Sequence, residues 1–283
     1  MIKLRFEDSG YINKPQFFTF PDGTRHVILV DQQMIVPEGT DITIIAQVSS
    51  PNDVIDIALT ADAVRRFYKH GNLNLYIPYF PGSRQDRVVN QGEALSVKVY
   101  ADIINNLYFD VVKVLDPHSE AVGAALNDAL VMKPIGLYST VAQDIDPQNT
   151  VVVSPDAGAK KRASFAAVQM GVDTVLSADK ERNLKTGDII DFNLYADKDQ
   201  VEGKTAVIVD DIVTNGGTFI PLVDILRSMG AEKVFLCVTH ADHKEGLFKM
   251  QRVFDKVYTT NSKSEHYNEN NLTRNNLTVV SVY

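Results

Sequence analysis

The chain holds a single cysteine, Cys237, among 283 residues. One thiol cannot build a disulfide framework or a cysteine-based zinc cluster. It sits within the apolar run Val234–Val238 and reads as a buried structural thiol. Positive charge is scarce too: the net charge is −8 and the pI about 5.2. The nucleic-acid backbone demands a basic face, so a general nucleic-acid binder is disfavoured. Any phosphate site must be a local device. No apolar run approaches the ~20 residues of a membrane span, and the first residues, Met1–Tyr11, lack the apolar core of a secretory signal. The expectation is a soluble, cytoplasmic protein with no membrane partner. Low-complexity linkers are also missing. What remains is 45% hydrophobic and 23% charged, enough core for one large or two medium domains.

Taken in order, the chain alternates strand-like and helix-like segments. Phe17–Phe20 can form a strand, and Pro21-Asp22-Gly23 is a turn signal. Strand patterns follow at 25–30 and 41–48. Pro51-Asn52-Asp53 opens a helix in which Val54, Ile57, Ala61, Val64 and Tyr68 recur at helical spacing, and Gly71 ends it. A strand at 74–79, a helix at 94–107 and a strand at 111–115 complete the first series. A helix over 121–130 reads as a crossover to about Leu137. The second series runs strand 150–154, helix to Met170, strand 174–178, a charged loop 179–187 and strand 189–195. It continues with strand 206–209, helix 219–229, strand 233–239, a short helix at 246–251 and strands near 256–259 and 277–282. This order predicts two α/β domains, 1–137 and 138–283, each with a mainly parallel sheet. Polar clusters fall at strand C-terminal ends, where open α/β sheets bind ligands.

The strongest of these clusters is Ala206–Ile220. An apolar strand ends in Asp210-Asp211, and Thr214-Asn215-Gly216-Gly217-Thr218 forms a small-residue turn opening a helix. Glycines let backbone approach a ligand, and helix N-termini bind anions. Paired carboxylates would repel a bare phosphate but suit hydroxyl groups or a metal. A ribose 5-phosphate, with vicinal hydroxyls at one end and phosphate at the other, satisfies both halves. The bland alternative is an acidic strand end before a structural Gly-Gly turn.

A second strand-to-helix turn, Ser154–Arg162, carries Asp156, Gly158, Lys160, Lys161 and Arg162. Its chemistry suits a phosphate or pyrophosphate with Mg²⁺ at Asp156. Otherwise it is a solvated basic first turn, set against the helix dipole. Phe80–Arg87 brings Arg84, Gln85, Asp86 and Arg87 after a buried strand; arginine matches phosphate bidentately, although such clusters are also ordinary surface. His118 follows a strand in Asp116-Pro117-His118-Ser119. Asp179–Gly187 includes Lys180 and Arg182, the kind of cations that close over a phosphoryl-transfer site. His26, His70, His240, His243 and His266 read as structural.

Together these segments resemble the ribose-phosphate pyrophosphokinase (phosphoribosyl pyrophosphate synthetase) family. The resemblance is carried by Phe20-Pro21-Asp22-Gly23, Ile77–Phe80 with Arg84–Arg87, Asp116-Pro117-His118, Val151–Ala163, Asp179-Lys180 with Arg182, and Val209–Thr218, in family order over roughly residues 16–260. It implies two phosphoribosyltransferase-like domains, an N-terminal ATP side and a C-terminal ribose-5-phosphate side. It implies that Asp210 and Asp211 hold the ribose hydroxyls and Thr214–Thr218 the 5-phosphate. His118 and Asp156 would meet Mg²⁺–ATP, with Arg84 and Gln85 on ATP. Phe20 and Asp22 would reach the adenine side from a neighbouring subunit of a homo-oligomer that shares its ATP site. Lys180, Arg182 and His118 would be catalytic. The implied reaction moves the β,γ-pyrophosphoryl group of ATP to O1 of ribose 5-phosphate. Departures from the family pattern are Thr24 in place of Glu, Thr214-Asn215 in place of Asp-Thr, Ala159 in place of a second glycine, and an acidic-polar 88–93 loop. The last, with no clear counterpart of the family's first and C-terminal helices, implies a less regulated enzyme. Two other readings remain: a phosphoribosyltransferase, needing one such domain, and an inactive regulatory subunit of the same family.

Overall fold

The structure, a computed structural model, describes residues 1–29, 36–182, 189–263 and 276–283, without the side chains of 180–182 and 189–192. The chain forms two compact units, Met1–Lys133 with Tyr283, and Pro134–Val282.

In the first unit, β1 (Ile2–Phe6), β2 (Ile12–Asn13), β5 (Ile42–Ala46), β6 (Leu73–Ile77), β7 (Val112–Leu115) and β8 (Ala129–Met132) form one sheet in the order β2-β1-β5-β6-β7-β8. Strands β5 to β8 are parallel, and β1 runs antiparallel to both β2 and β5. The β1 strand was not expected from sequence, although Ile2, Leu4 and Phe6 alternate inward with period two. Helices α1 (Pro51–Phe67), α2 (Ser96–Asn105) and α3 (Ala121–Ala125) are set among the strands. Val54, Ile57, Ala61 and Val64 of α1 and Val97, Ala101 and Ile104 of α2 pack with Leu4, Ile44 and Leu75 in one core. A separate hairpin, β3 (Gln16–Thr19) and β4 (Arg25–Ile28), stands outside this sheet. It is tied to α1 by Arg25, whose guanidinium bonds the Asp56 carboxylate bidentately, Nε to Oδ1 at 3.0 Å.

The expected helix over 121–130 is corrected. Helix α3 stops at Ala125, Asp128 adopts a left-handed φ of 49°, and β8 then pairs with β7. A short apolar run such as Leu130-Val131-Met132 fits either structure locally. The open edge of β7 decides it.

The second unit has β9 (Thr150–Ser154), β10 (Val175–Arg182), β11 (Ile189–Tyr195), β12 (Thr205–Val213), β13 (Lys233–Ala241), β14 (Lys256–Thr260) and β15 (Leu277–Val280), ordered β11-β10-β9-β12-β13-β14-β15. All neighbours are parallel except β10 and β11. Two cores flank it. Along β12, Ala206 and Ile208 pack with Leu222, Leu226 and Leu247 of α6 (Phe219–Ser228) and α7 (Lys244–Val253). Val207 and Val209 pack on the other face with Leu137 and Tyr138 of α4 (Ile135–Ala142) and Ala163 and Ala166 of α5 (Lys160–Met170). That alternation makes a three-layer sandwich, a parallel sheet buried on both faces. Cys237, fully buried in the second of these cores, is the expected structural thiol.

Two further expectations change. Asp179–Arg182 was read as loop but continues β10, because antiparallel pairing with β11 extends the ladder past the apolar residues. Strand β12 likewise runs on to Val213, so Asp210 and Asp211 lie within it and not beyond its end.

Candidate active site

Strand order places the site. From β9 the chain moves outward to β10 on one side, then returns to place β12 on the other. At such a reversal the loops leaving two adjacent parallel strands diverge and open a crevice at their carboxyl ends. The loops concerned are Ser154–Ala159 after β9 and Thr214–Thr218 after β12. The parallel strands β5 to β8 of the first unit advance in one direction, with no such reversal among the described residues.

At the β9 end, Asp156 caps a short 3₁₀ turn at Ala157–Ala159, its Oδ1 accepting the Ala159 N–H at 3.0 Å. The Ser154 hydroxyl donates to the Asp156 carbonyl at 2.7 Å. A β-carbon on Gly158 would approach Asp156 Oδ1 at 3.2 Å, so glycine leaves the carboxylate room. Helix α5 follows directly.

At the β12 end, Asp210 and Asp211 share one arginine. Arg162 Nη1, from the first turn of α5, lies 3.6 Å from Asp210 Oδ1 and 3.9 Å from Asp211 Oδ1. The Asp211 N–H donates to Asp210 Oδ1 at 2.8 Å. Burial, and then the adjacent Asp211 charge, push the Asp210 carboxyl well above the usual carboxylate range, while the Arg162 charge opposes that rise. Sequence singled out Arg162 only as one cation of three. Its ion pairing with the acids depends on β9 and β12 being neighbours, which no local signal reports.

The Thr214–Thr218 turn is shaped by its glycines. Gly216 has φ +78°, and a β-carbon there would lie 2.0 Å from Met250 Cε. At Gly217 an added β-carbon meets nothing within 4 Å, so this position faces open space. Thr218, at the start of α6, makes no side-chain capping bond. A helix N-terminus left uncapped by its own side chain suits an anion. Gly246 of α7 was not foreseen from sequence: a β-carbon there would lie 1.6 Å from the Thr214 carbonyl oxygen. The Asp242 N–H also donates to the Val213 carbonyl at 2.9 Å, so β13 and α7 together buttress the turn. His240, read as structural, is fully buried with Nδ1 2.7 Å from Ser262 Oγ.

In the first unit, Arg84 and Gln85 are exposed on the loop after β6, and His118 is exposed on the loop after β7. These strands are adjacent and parallel, so the three residues share one carboxyl edge. Asp116 leads into that second loop with φ 39°, fully buried and 3.9 Å from Lys133 Nζ. Phe20 and Asp22 stand apart, at the tip of the β3–β4 hairpin. Phe20 is 46% exposed, and Asp22 Oδ1 accepts the Thr24 N–H at 2.9 Å. The side chains of Lys180 and Arg182 lie outside the described residues.

The fold and this crevice define an α/β protein of the phosphoribosyltransferase class, with an acid pair and a Gly-Gly turn at a sheet reversal. Comparisons make this specific. The family described as phosphoribosyl transferase domain matches residues 124–271, and the N-terminal domain of ribose phosphate pyrophosphokinase matches residues 12–107. The ribose-phosphate pyrophosphokinase of Pyrococcus furiosus is 30% identical over 263 residues, spanning 90% of this chain and 88% of that protein. That of Vibrio cholerae is 32% identical over 232 residues, spanning 79% and 72%. The crystal structure of phosphoribosylpyrophosphate synthetase from Mycobacterium smegmatis superposes with a TM-score of 0.79 at 22% identity, over 98% of this chain and 88% of that one. The chain belongs to the ribose-phosphate pyrophosphokinase family.

Proposed function

We propose that this protein is an active ribose-phosphate diphosphokinase, transferring the pyrophosphoryl group of Mg²⁺–ATP to O1 of ribose 5-phosphate to give phosphoribosyl pyrophosphate and AMP. The observation that carries this reading is the crevice at the β9–β12 reversal. It offers hydroxyl acceptors, Asp210 and Asp211, beside an anion-binding turn, Thr214–Thr218, and it lies in a chain that also carries the pyrophosphokinase N-terminal domain. A phosphoribosyltransferase would need only the second unit.

In this reading Asp210 and Asp211 accept hydrogen bonds from the ribose hydroxyls, while the backbone of Thr214–Thr218 and the α6 N-terminus hold the 5-phosphate. The sugar is thereby fixed with O1 directed at the β-phosphorus of ATP. The O1–Pβ bond forms as the bond from Pβ to the bridging oxygen of AMP breaks. AMP leaves with that electron pair, and the O1 proton passes to solvent. Much of the acceleration is positioning, since the phosphoryl group needs little covalent help. Lys180 and Arg182 offset the charge that develops, and we assign Arg84, Gln85 and His118 to the nucleotide.

No group of three or more His, Cys, Asp or Glu side chains is gathered for a metal among the described residues. Mg²⁺ keeps several waters and takes one or two carboxylates plus substrate phosphates. Asp156 is the carboxylate we assign, with His118 beside the metal-bound phosphates. Bound there, the ion would neutralise phosphate charge. We take the working protein to be a cytoplasmic homo-oligomer in which Phe20 and Asp22 reach a neighbouring subunit's nucleotide. The exposed Phe20 ring at the hairpin tip supports that. None of the described helices is long and apolar enough to cross a membrane.

The deciding experiment is AMP release from Mg²⁺–ATP with and without ribose 5-phosphate. Sugar-dependent AMP in equal amount to phosphoribosyl pyrophosphate is expected. Its absence would favour an inactive subunit and overturn the proposal.

A further inference from the structure

We infer that Arg162 is a positioning residue for the sugar: it reaches from the first turn of α5 to the acid pair on β12 and holds both carboxylates in the arrangement that receives the ribose hydroxyls. The inference rests on the function proposed above and assigns a residue that acts through Asp210 and Asp211, not on the substrate directly.

Three observations carry it. First, neighbouring residues on a strand ordinarily direct their side chains to opposite faces. Yet Asp210 Oδ1 and Asp211 Oδ1 both lie within 4 Å of the same Arg162 nitrogen. These are ion-pair contacts of a single Nη1, and a planar guanidinium carries five donors in a fixed fork with which to address two carboxylates.

Second, the three side chains are withdrawn from water together, at 11% exposure for Arg162, 14% for Asp210 and 3% for Asp211. Two adjacent buried carboxylates repel each other and favour protonation of one. A protonated carboxyl loses acceptor capacity that sugar hydroxyls need. The fixed positive charge of Arg162 acts against that loss, opposing the rise that burial and the Asp211 charge impose on Asp210.

Third, the basic first turn of α5 runs against the helix dipole. Lys160 and Lys161 are exposed there, whereas Arg162 is turned inward. A cation kept at an unfavourable helix end, its side chain only 11% exposed, has its compensation in the acid pair.

The test compares wild type, R162Q, R162K, D210N and the R162Q/D210N double variant by steady-state kinetics and by calorimetric titration with ribose 5-phosphate. R162Q should raise KM and Kd for ribose 5-phosphate by about tenfold or more while KM for Mg²⁺–ATP changes by less than about threefold. R162K, which keeps charge but not the fork, should fall between. In the D210N background, where calorimetry alone reads binding, R162Q should add much less to the ribose 5-phosphate Kd than it does alone, since the two act as one unit. Unchanged ribose 5-phosphate constants in R162Q would overturn the inference. So would full additivity with D210N, or equal losses for both substrates. Should R162Q fail to fold, as judged by its melting curve, R162K carries the test: a rise of about threefold or more in ribose 5-phosphate KM is expected, and none would overturn the inference. If the wild type binds ribose 5-phosphate without releasing AMP, the function proposal fails while the calorimetric comparison still decides the role of Arg162. No binding by wild type overturns both.

Discussion

Gly246 gives the most direct check on how the Thr214–Thr218 turn, proposed to hold the 5-phosphate, is kept in place. It is buried in α7, outside the turn itself, and its missing side chain is the space the Thr214 carbonyl occupies. In Gly246→Ala the new methyl would start 1.6 Å from Thr214 O and 2.8 Å from Thr214 C, where ordinary contact begins at 3.4 Å. Both clashing atoms are backbone, so no rotamer change relieves them. The turn and the helix must separate by about 2 Å, since repulsion rises steeply inside contact distance. Alanine improves intrinsic helix propensity by about 1 kcal/mol over glycine, which offsets part of an overpacking cost of about 1–3 kcal/mol. The net change in stability should therefore be small, about 1 kcal/mol, or about 2–4 °C in Tm. The functional change should be larger, because a cradle displaced by this distance no longer matches a phosphate. KM for ribose 5-phosphate should rise by about tenfold or more, equivalent to about 1.4 kcal/mol of lost binding. KM for Mg²⁺–ATP should move little. Scanning calorimetry and initial-rate kinetics read both quantities. Two companions sharpen the test. Gly217→Ala places its methyl in open space and should leave Tm unchanged. Gly216→Ala combines a φ of +78° with a 2.0 Å approach to Met250 Cε and should be less stable than either. A Gly246→Ala protein with wild-type Tm and wild-type ribose 5-phosphate KM would refute the reasoning.

Arg25→Met should destabilise the first unit by about 2–3 kcal/mol, because it strands the Asp56 carboxylate at 7% exposure; urea denaturation would read this. Asp210→Asn should abolish activity yet raise the Tm of the ligand-free protein at neutral pH. Burial and Asp211 raise the folded carboxyl above its ordinary 3.8, so the folded state binds the extra proton and stability falls as pH climbs from 3.8 through the folded value. The asparagine variant escapes that loss, so the Tm difference should vanish near pH 3.8 and below. Lys180→Ala should lower kcat far more than it raises either KM, as single-turnover kinetics would show. Chelation with EDTA should abolish sugar-dependent AMP release, and excess Mg²⁺ should restore it.

Much of the site was legible because its parts are local. Asp210-Asp211 before Thr214–Thr218, and Asp156 before α5, are strand-turn-helix segments whose chemistry and geometry are written in consecutive residues. The alternating faces of β12 follow from period-two burial, and α1 from apolar residues at helical spacing. Where the reading failed, a partner distant in sequence had decided the outcome. Leu130–Met132 became a strand because β7 offered an unpaired edge. The polar end of β10 stayed extended because β11 pairs with it.

By itself, then, the sequence determined the α/β class, the acid pair, the glycine turn and the family resemblance, since each depends on contiguous residues. Tertiary structure alone decided that β9 and β12 lie side by side at the sheet reversal. That adjacency brings Arg162 across to Asp210 and Asp211, and the packing of α7 makes Gly246 a condition of the turn. These contacts join residues some 30 to 50 positions apart, where periodicity and turn chemistry carry no information and only close packing selects the neighbour.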